Sequence, residues 1–348
     1  MDAVSAPEAT ALVLAGSYRA LAEEALADRR LTPAQAASVL RAPDVDVAAI
    51  LWAAFAVRRR HCGRRVKVCV LTNARSGLCP EDCGYCSQSA VSTADIERYR
   101  LTPVPELLAK ARQAAAAGAR RYCMVTSARG PSAADVAHFA RAARAIRAEL
   151  PGLELCVSLG ILGEQEAREL RTAGIDFVNH NLNTSRRHYP AICSTHTYDD
   201  RVGTVAATKR AGLSACSGVI MGMGETDDDL VDVALALSAL EVESLPVNFL
   251  IPIPGTPLDA RPVPALGRAL RALALFRLTN PRADLRAAGG RERCLAGAHA
   301  LALLAANSIF VNGYLTTPGQ SRDEAWTMLA EYGFEVETGT ESAVAAEA

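Results

Sequence analysis

The chain has 348 residues, 50% of them hydrophobic and only 5% aromatic, with a formal net charge of -1. This length suits one large α/β barrel or two ordinary domains, and the apolar content is ample for a buried core. The balanced charge argues against a nucleic-acid surface, and no apolar run is long enough to cross a membrane.

Residues 1–60 read as helices. Thr32 is placed as an N-cap with Pro33 at the first helical position, and Asp44-Val45-Asp46 opens another helix through Ala56. The segment is too short to own a core, so it is expected to be an N-terminal extension of the larger unit that begins near residue 61. The N-terminus lacks a basic region followed by an apolar core, so no signal peptide and a cytoplasmic setting are expected.

Over 61–334, short apolar or β-branched runs alternate with Ala/Leu/Arg helices. Strands are predicted at Val66–Thr72, Arg121–Thr126, Glu154–Leu159, Phe177–Asn181, Ser214–Met221, Ser244–Ile251, Ala283–Ala287 and Ser308–Asn312. Gly118, Gly174 and Gly212 sit where helix C-caps are expected. The alternation predicts a closed parallel (β/α)8 TIM-type barrel. The alternative, an open doubly wound sheet, is weakened because no GxGxxG follows an early strand. Residues 335–348 are polar and Ala-rich and read as a flexible tail.

Ten cysteines are many for a chain without a secretory signal, so metal binding or catalysis outranks disulfides. Cys79, Cys83 and Cys86 form Cys-x3-Cys-x2-Cys in the loop after the first predicted strand. Iron–sulfur clusters and structural zinc normally take four ligands, so three thiols leave an open corner for chemistry. Zinc completed by a distant residue, or a partial disulfide set, are the plainer readings. In a barrel, the loops after the strands form the active face.

Further in, Cys123, Cys156, Cys216 and Arg286 fall on the second, third, fifth and seventh predicted strands. Inward side chains at similar heights converge on a barrel axis. A lone strand Cys is usually a small buried hydrophobe, and a buried Arg should pair with a carboxylate. Three such Cys beneath a metal loop are as well read as a second metal site. Asn179, His180, Asn181 and Asn183 crowd the end of the fourth strand, which is costly in a barrel unless they bind something or cap the strand end.

The cysteine loop, with Tyr85 before its last Cys, resembles the signature of the radical S-adenosylmethionine (SAM) superfamily. Over about residues 45–330 the chain resembles the biotin synthase family. The likeness is carried by Gly77–Gln88, Arg121–Met124, Asn179–Ser185, Cys216–Gly218, Gly222–Thr226, Val247-Asn248, Pro254–Pro257, Gly290–Glu292, Ala306–Phe310 and Leu315–Pro318. It implies that Cys79, Cys83 and Cys86 hold a [4Fe-4S] cluster whose open iron binds SAM. It implies a [2Fe-2S] cluster on Cys123, Cys156, Cys216 and Arg286.

By the same resemblance, Asn179 and Asn248 face the ureido ring of dethiobiotin, and Thr316 and Thr317 meet its carboxylate. Asn181 and Asn183 take the SAM ribose, with Asn183 standing where the family often has Asp. Tyr85, Arg201, Gly222, Gly224 and Glu225 are implied on the SAM side. The implied activity is sulfur insertion into dethiobiotin, using 5′-deoxyadenosyl radicals and a sulfide of the second cluster. A homodimer is implied, with an electron donor such as flavodoxin or ferredoxin. Cys62, Cys69, Cys193 and Cys294 match no ligand position and read as packing or spare thiols. A hydrogenase-maturase-like or mutase-like relative would lack the second thiol set. An iron–sulfur redox sensor would leave the amide-rich pocket unexplained.

Overall fold

Strand β1 (Arg65–Arg75) is the seam of the molecule: it pairs with its successor through Cys69–Arg75 and with the last barrel strand through Lys67–Cys69. Between these neighbours run β2 (Arg121–Thr126), β3 (Glu154–Ser158), β4 (Phe177–Asn179), β5 (Ser214–Cys216), β6 (Val219–Met221), β7 (Ser244–Phe249), β8 (Asp284–Ala287) and β9 (Ser308–Phe310), in a ring of parallel pairs. The computed structural model describes residues 18–77 and 79–337. The sheet is closed, so the open-sheet alternative is excluded.

The predicted strand Ser214–Met221 is in fact two pieces, β5 and β6, which share one place in the ring. The break at Ser217-Gly218 has a steric cause. A Cβ at residue 218 would stand 1.9 Å from the Pro246 carbonyl oxygen, an approach only glycine permits. The backbone groups freed by the break are satisfied from the end of β4: Gly218 N–H donates to Asn181 Oδ1 (3.1 Å), and Leu182 N–H to Ser217 Oγ (3.2 Å).

A helix over residues 18–26 (α1), α2 (Pro33–Leu40) and α3 (Val47–Cys62) precede the barrel. Thr32 forms the expected cap, reciprocated by Gln35. The helix expected to end near Ala56 runs on to Cys62 after a turn of 3-10 helix at Asp44–Asp46. The barrel helices are α4 (Val104–Ala116), α5 (Ala133–Glu149), α6 (Glu164–Thr172), α7 (Tyr198–Arg210), α8 (Asp227–Ala239) and α9 (Leu266–Thr279). Two short pieces, α10 (Arg291–Leu295) and α11 (His299–Ala302), follow β8, and α12 (Arg322–Glu331) follows β9. Gly118, Gly174 and Gly212 end α4, α6 and α7 with φ of 78°, 99° and 77°, the left-handed C′ conformation.

The extension shares its core with the barrel: Tyr18, Leu40 and Ile50 belong to one buried cluster with Leu230, Leu273 and Phe276 of α8 and α9. The tail expected from residue 335 needs correction at its start. Strand β10 (Glu335–Val336) pairs in parallel with Arg65 and Val66 of β1. Residues 1–17 and 338–348 lie outside the described residues. Among the described residues, no helix is long and apolar enough to cross a membrane.

The barrel floor is sealed by ions. Lys67, Arg121, Glu154 and Asp284 start or nearly start their strands, and Arg121 bridges Glu154 (2.7 Å) and Asp284 (3.2 Å) while Lys67 takes Asp284 (2.7 Å).

Candidate active site

A cavity of about 370 Å3 opens at the C-terminal ends of the strands. It reaches from the cysteine loop at the rim to Cys123, Cys156, Cys216 and Arg286 inside the barrel.

The inner group arises from strand register. Cys123 and Cys156 are direct partners across β2 and β3, and Cys216 pairs with Asn179 across β4 and β5. All three Cys are buried, and the neighbouring Cys123 and Cys216 thiols, with burial, hold the Cys156 thiol well above its ordinary value. The adjacent Cys156 thiol, together with the Arg286 and Arg121 guanidiniums, holds the Cys216 thiol well below its ordinary value against the opposing effect of burial. Asn179 Nδ2 also donates to Cys216 Sγ (3.2 Å).

Arg286 is 1% exposed, donates to Ser308 Oγ (3.0 Å) and lies over the Phe310 ring at 4.8 Å. Arg121 beside it has two carboxylate partners; Arg286 has none among the described residues. Burial and the Arg121 guanidinium work against its charge, while the thiols of Cys69, Cys216 and Cys123 favour it and keep Arg286 above its ordinary value. A buried cation of this kind needs an anion. Three thiolates carrying an iron–sulfur group supply one, so the donor set fits such a cluster. Cys69, set aside as packing in the sequence, stands beside this group with its sulfur 3.6 Å from Ser308 Oγ.

The rim loop is tied down by backbone. Gly84 N–H donates to Ile192 O (2.9 Å), Leu258 N–H to Gly84 O (3.2 Å), and Cys86 N–H to Cys83 O (3.0 Å). Gln88 Oε1 accepts from Gly77 N–H (3.1 Å) and Asn73 Nδ2 (3.2 Å), closing the loop onto β1. Cys79, Cys83 and Cys86 all line the cavity, each a free thiol. Burial pushes the Cys86 thiol up to about 11. A tethered loop presenting three thiols to one cavity fits a site-differentiated cluster.

The amide-rich end of β4 also lines the cavity. Asn179 Nδ2 donates to Asn181 Oδ1 (3.1 Å), and Asn183, at φ 69°, donates separately through Nδ2 to Tyr85 Oη (2.6 Å). Asn248 is held at both ends, donating to Val219 O (3.0 Å) and accepting from Gly289 N–H (3.0 Å). His180 Nε2 is buried without a partner among the described residues, and burial keeps its ring neutral. Thr316 and Thr317 close the opposite wall, Thr316 Oγ1 meeting Ser87 Oγ at 2.9 Å.

Arg201 is not on the surface. It is 7% exposed, donates to Asn181 O (2.8 Å), His196 Nε2 (2.8 Å) and Tyr189 Oη, and has no carboxylate partner among the described residues. Gly222, Gly224 and Glu225 stand outside the cavity lining. Glu225 instead accepts from Gly222 N–H (2.9 Å) and Met223 N–H (2.8 Å) and pairs with Arg268 (3.2 Å), bracing its own loop.

One group escaped the sequence reading. Cys193, set aside as a spare thiol, has its sulfur 3.8 Å from Cys83 Sγ, 3.2 Å from His196 Nδ1 and 3.1 Å from Asp82 Oδ1. The hydrogen bond from Cys83, with one from His196, brings the Cys193 thiol down to about 4. A Cys-x2-His pair after β4 was the available signal.

Comparison with known proteins accords with this geometry. The Radical SAM superfamily matches residues 75–237, and the Biotin and Thiamin Synthesis associated domain matches 246–335. A biotin synthase of Thermus thermophilus is 50% identical over 317 residues, covering 90% of this chain and 96% of that protein. A biotin synthase of Bacillus subtilis is 47% identical over 318 residues, covering 91% and 95%. Among solved structures, methylornithine synthase superposes with a TM-score of 0.78 at 18% identity, over 92% of this chain and 98% of that one. The FeFe-hydrogenase maturase HydG from Carboxydothermus hydrogenoformans gives 0.78 at 16% identity, over 92% and 79%. These two likenesses concern the fold alone.

Proposed function

Since this chain belongs to the biotin synthase family of the radical SAM superfamily, we infer that its barrel is built to convert dethiobiotin into biotin. It is a sulfur-inserting enzyme that uses a [4Fe-4S] cluster, a [2Fe-2S] cluster and SAM. When bound, these groups supply a 5′-deoxyadenosyl radical and a sulfide, the chemistry that no side chain can perform.

Our assignment places the first cluster on Cys79, Cys83 and Cys86 and the second on Cys123, Cys156, Cys216 and Arg286. The observation that carries it is the buried Arg286, without a carboxylate and surrounded by thiols, beneath a second thiol loop facing the same cavity. A maturase-like relative has no need of that inner set.

The remaining residues orient and desolvate. We assign Asn179 and Asn248 to the ureido ring of dethiobiotin. Each amide already spends some of its hydrogen-bonding capacity on backbone or sulfur, which fixes its direction, and keeps a free lone pair or N–H for the ring. Thr316 and Thr317 are assigned to the substrate carboxylate. Asn181, Asn183 and Tyr85 are assigned to SAM. Arg201 is assigned to SAM's methionine carboxylate, because a buried guanidinium lacking an acidic partner seeks one. Gly222, Gly224 and Glu225 shape the neighbouring loop in this assignment. The ion-paired floor and the closed ring keep water from the inner end, as a radical reaction requires.

We further propose a cytoplasmic homodimer fed by a small electron carrier of the flavodoxin or ferredoxin kind. An N-terminal extension (1–60), a barrel (61–334) and a short tail are proposed as the organisation, the tail now starting after the β10 pairing.

The test is iron and sulfide per chain after anaerobic reconstitution, beside biotin formed from dethiobiotin. About six irons per chain, two of them lost in a Cys123→Ala, Cys156→Ala double variant, is the expected result. Four irons in the parent and no change in that variant would overturn the assignment.

A further inference from the structure

Cys193 and His196 belong to no part of the site assigned above, yet they stand against Cys83. The Sγ atoms of Cys83 and Cys193 and a ring nitrogen of His196 lie within 4.8 Å of one another, all three residues buried. The sulfur–sulfur separation is 3.8 Å. Two thiolates at the usual zinc–sulfur bond length around a tetrahedral ion stand about 3.8 Å apart. Cys193 Sγ and His196 Nδ1 are 3.2 Å apart, close to what one shared ion requires.

The three-residue set leaves the fourth position of a tetrahedral ion to a water, and a carboxylate stands next to it. Glu81, 4% exposed, directs Oε2 at His196 Nδ1 and receives Thr195 Oγ1 (2.7 Å). His196 Nε2, which takes an Arg201 N–H (2.8 Å) and lies 2.8 Å from Tyr189 Oη, must give up the Arg201 bond and turn its proton to Tyr189 Oη once Nδ1 binds a metal.

We propose that in the cluster-free enzyme Cys83, Cys193 and His196, with a water in the fourth position, form a tetrahedral site for a thiophilic divalent cation, zinc above all. Binding releases the one proton held between the Cys83 and Cys193 sulfurs and moves the imidazole proton to Nε2. No electron is transferred. Because Cys83 is shared, the ion and the [4Fe-4S] cluster exclude each other, and zinc holds the rim loop in a cluster-refusing state. The mutual exclusion rests on the assignment of Cys83 as a cluster ligand; the zinc site itself does not.

The test uses the full chain freed of iron by chelation under anaerobic conditions. Cobalt(II), added alone as the probe, should give one equivalent of tetrahedral absorption with thiolate charge-transfer bands. Cys193→Ser and His196→Asn should each weaken cobalt binding by roughly tenfold or more, while Cys69→Ser should not. Prior addition of zinc should slow iron uptake by the parent and have little effect on Cys193→Ser. Folding of each variant is checked by far-ultraviolet circular dichroism, and His196→Asn serves where Cys193→Ser does not fold. Cobalt spectra unchanged in both variants but lost in Cys79→Ser or Cys86→Ser would mean the three-thiol loop alone holds the ion, and would overturn the site. Equal zinc inhibition of parent and Cys193→Ser would overturn the competition. If instead Cys83→Ala kept its full iron complement while losing cobalt, the cluster assignment would fall and the zinc site would stand.

Discussion

At the level of single residues, Arg286 and the three inner Cys should behave differently when replaced. A guanidinium is protonated at any ordinary pH and so is a poor metal ligand, whereas a thiolate is a strong one. Arg286→Met should therefore keep some second cluster and measurable biotin formation. Cys123→Ala, Cys156→Ala or Cys216→Ala should lose biotin formation outright. Mössbauer spectra of the two-iron component, read beside biotin per chain, check the ordering; normal yield in all three Cys variants would refute it. Asn179→Ala should weaken dethiobiotin binding by about 1–3 kcal/mol, the usual range for a lost buried hydrogen bond, with a smaller effect on SAM. Because Asn179 also donates to Cys216 Sγ, the variant should in addition shift the visible spectrum of the inner cluster. Equal losses for both ligands in a calorimetric titration would contradict that placement.

Much of this was readable from spacing. The loop cysteines lie within eight residues, so no fold was needed to bring them together. Cys123, Cys156 and Arg286 could be grouped only by supposing a barrel, because residues far apart in sequence meet only through strand register. The Cys193–His196 spacing was there to be read, but the nearness of Cys193 to Cys83 was not, since it comes from the loop after β4 folding back over the rim.

Among the elements, the β5–β6 break shows what periodicity cannot say. The run Ser214–Met221 looks like one strand because its apolar content is continuous; the interruption is imposed by Pro246 on the neighbouring strand. Gly218→Ala should destabilise the fold by roughly 3 kcal/mol, as forced overpacking of backbone does, with a fall in thermal midpoint as the readout. A midpoint within a degree or so of the parent would show that β7 yields more easily than close packing suggests. The start of α8 offers a pH test. Burial works against the Asp229 charge, but hydrogen bonds from Ser185 and Thr226 and the Arg187 guanidinium hold its carboxyl below the usual range. A depressed folded value means its stabilisation is present above the unfolded pKa of about 3.9 and fades as pH falls through the folded one. Asp229→Asn should cost about 1 kcal/mol near neutrality through the damaged cap, and the deficit should shrink on acidification. Denaturant midpoints at neutral and acid pH measure it, and a deficit constant with pH would contradict the charge argument.

The whole molecule is a ring whose first and last strands are neighbours. That arrangement was legible in outline, from alternation of strand and helix runs, because each βα unit carries its own local signals. The pairing of Glu335–Val336 onto β1 was not, since two residues of an acidic-apolar stretch give no period to read. The chain emerges from the ribosome in the order of its numbering, and this gives the seam at β1 a temporal meaning. Every proposed thiolate ligand, from Cys79 to Cys216, is made before Arg286, and all precede the Ser308–Phe310 segment that shuts the ring. A nascent chain that has reached β5 carries its sulfurs on a half-wall with both edges bare, and bare parallel edges invite other chains. Closure must then join segments some 240 residues apart, a slow step for such topology. Synthesis thus leaves an interval in which the inner thiols are exposed to passing metals and oxidants, and it ends when the last strand arrives to brick up the entrance.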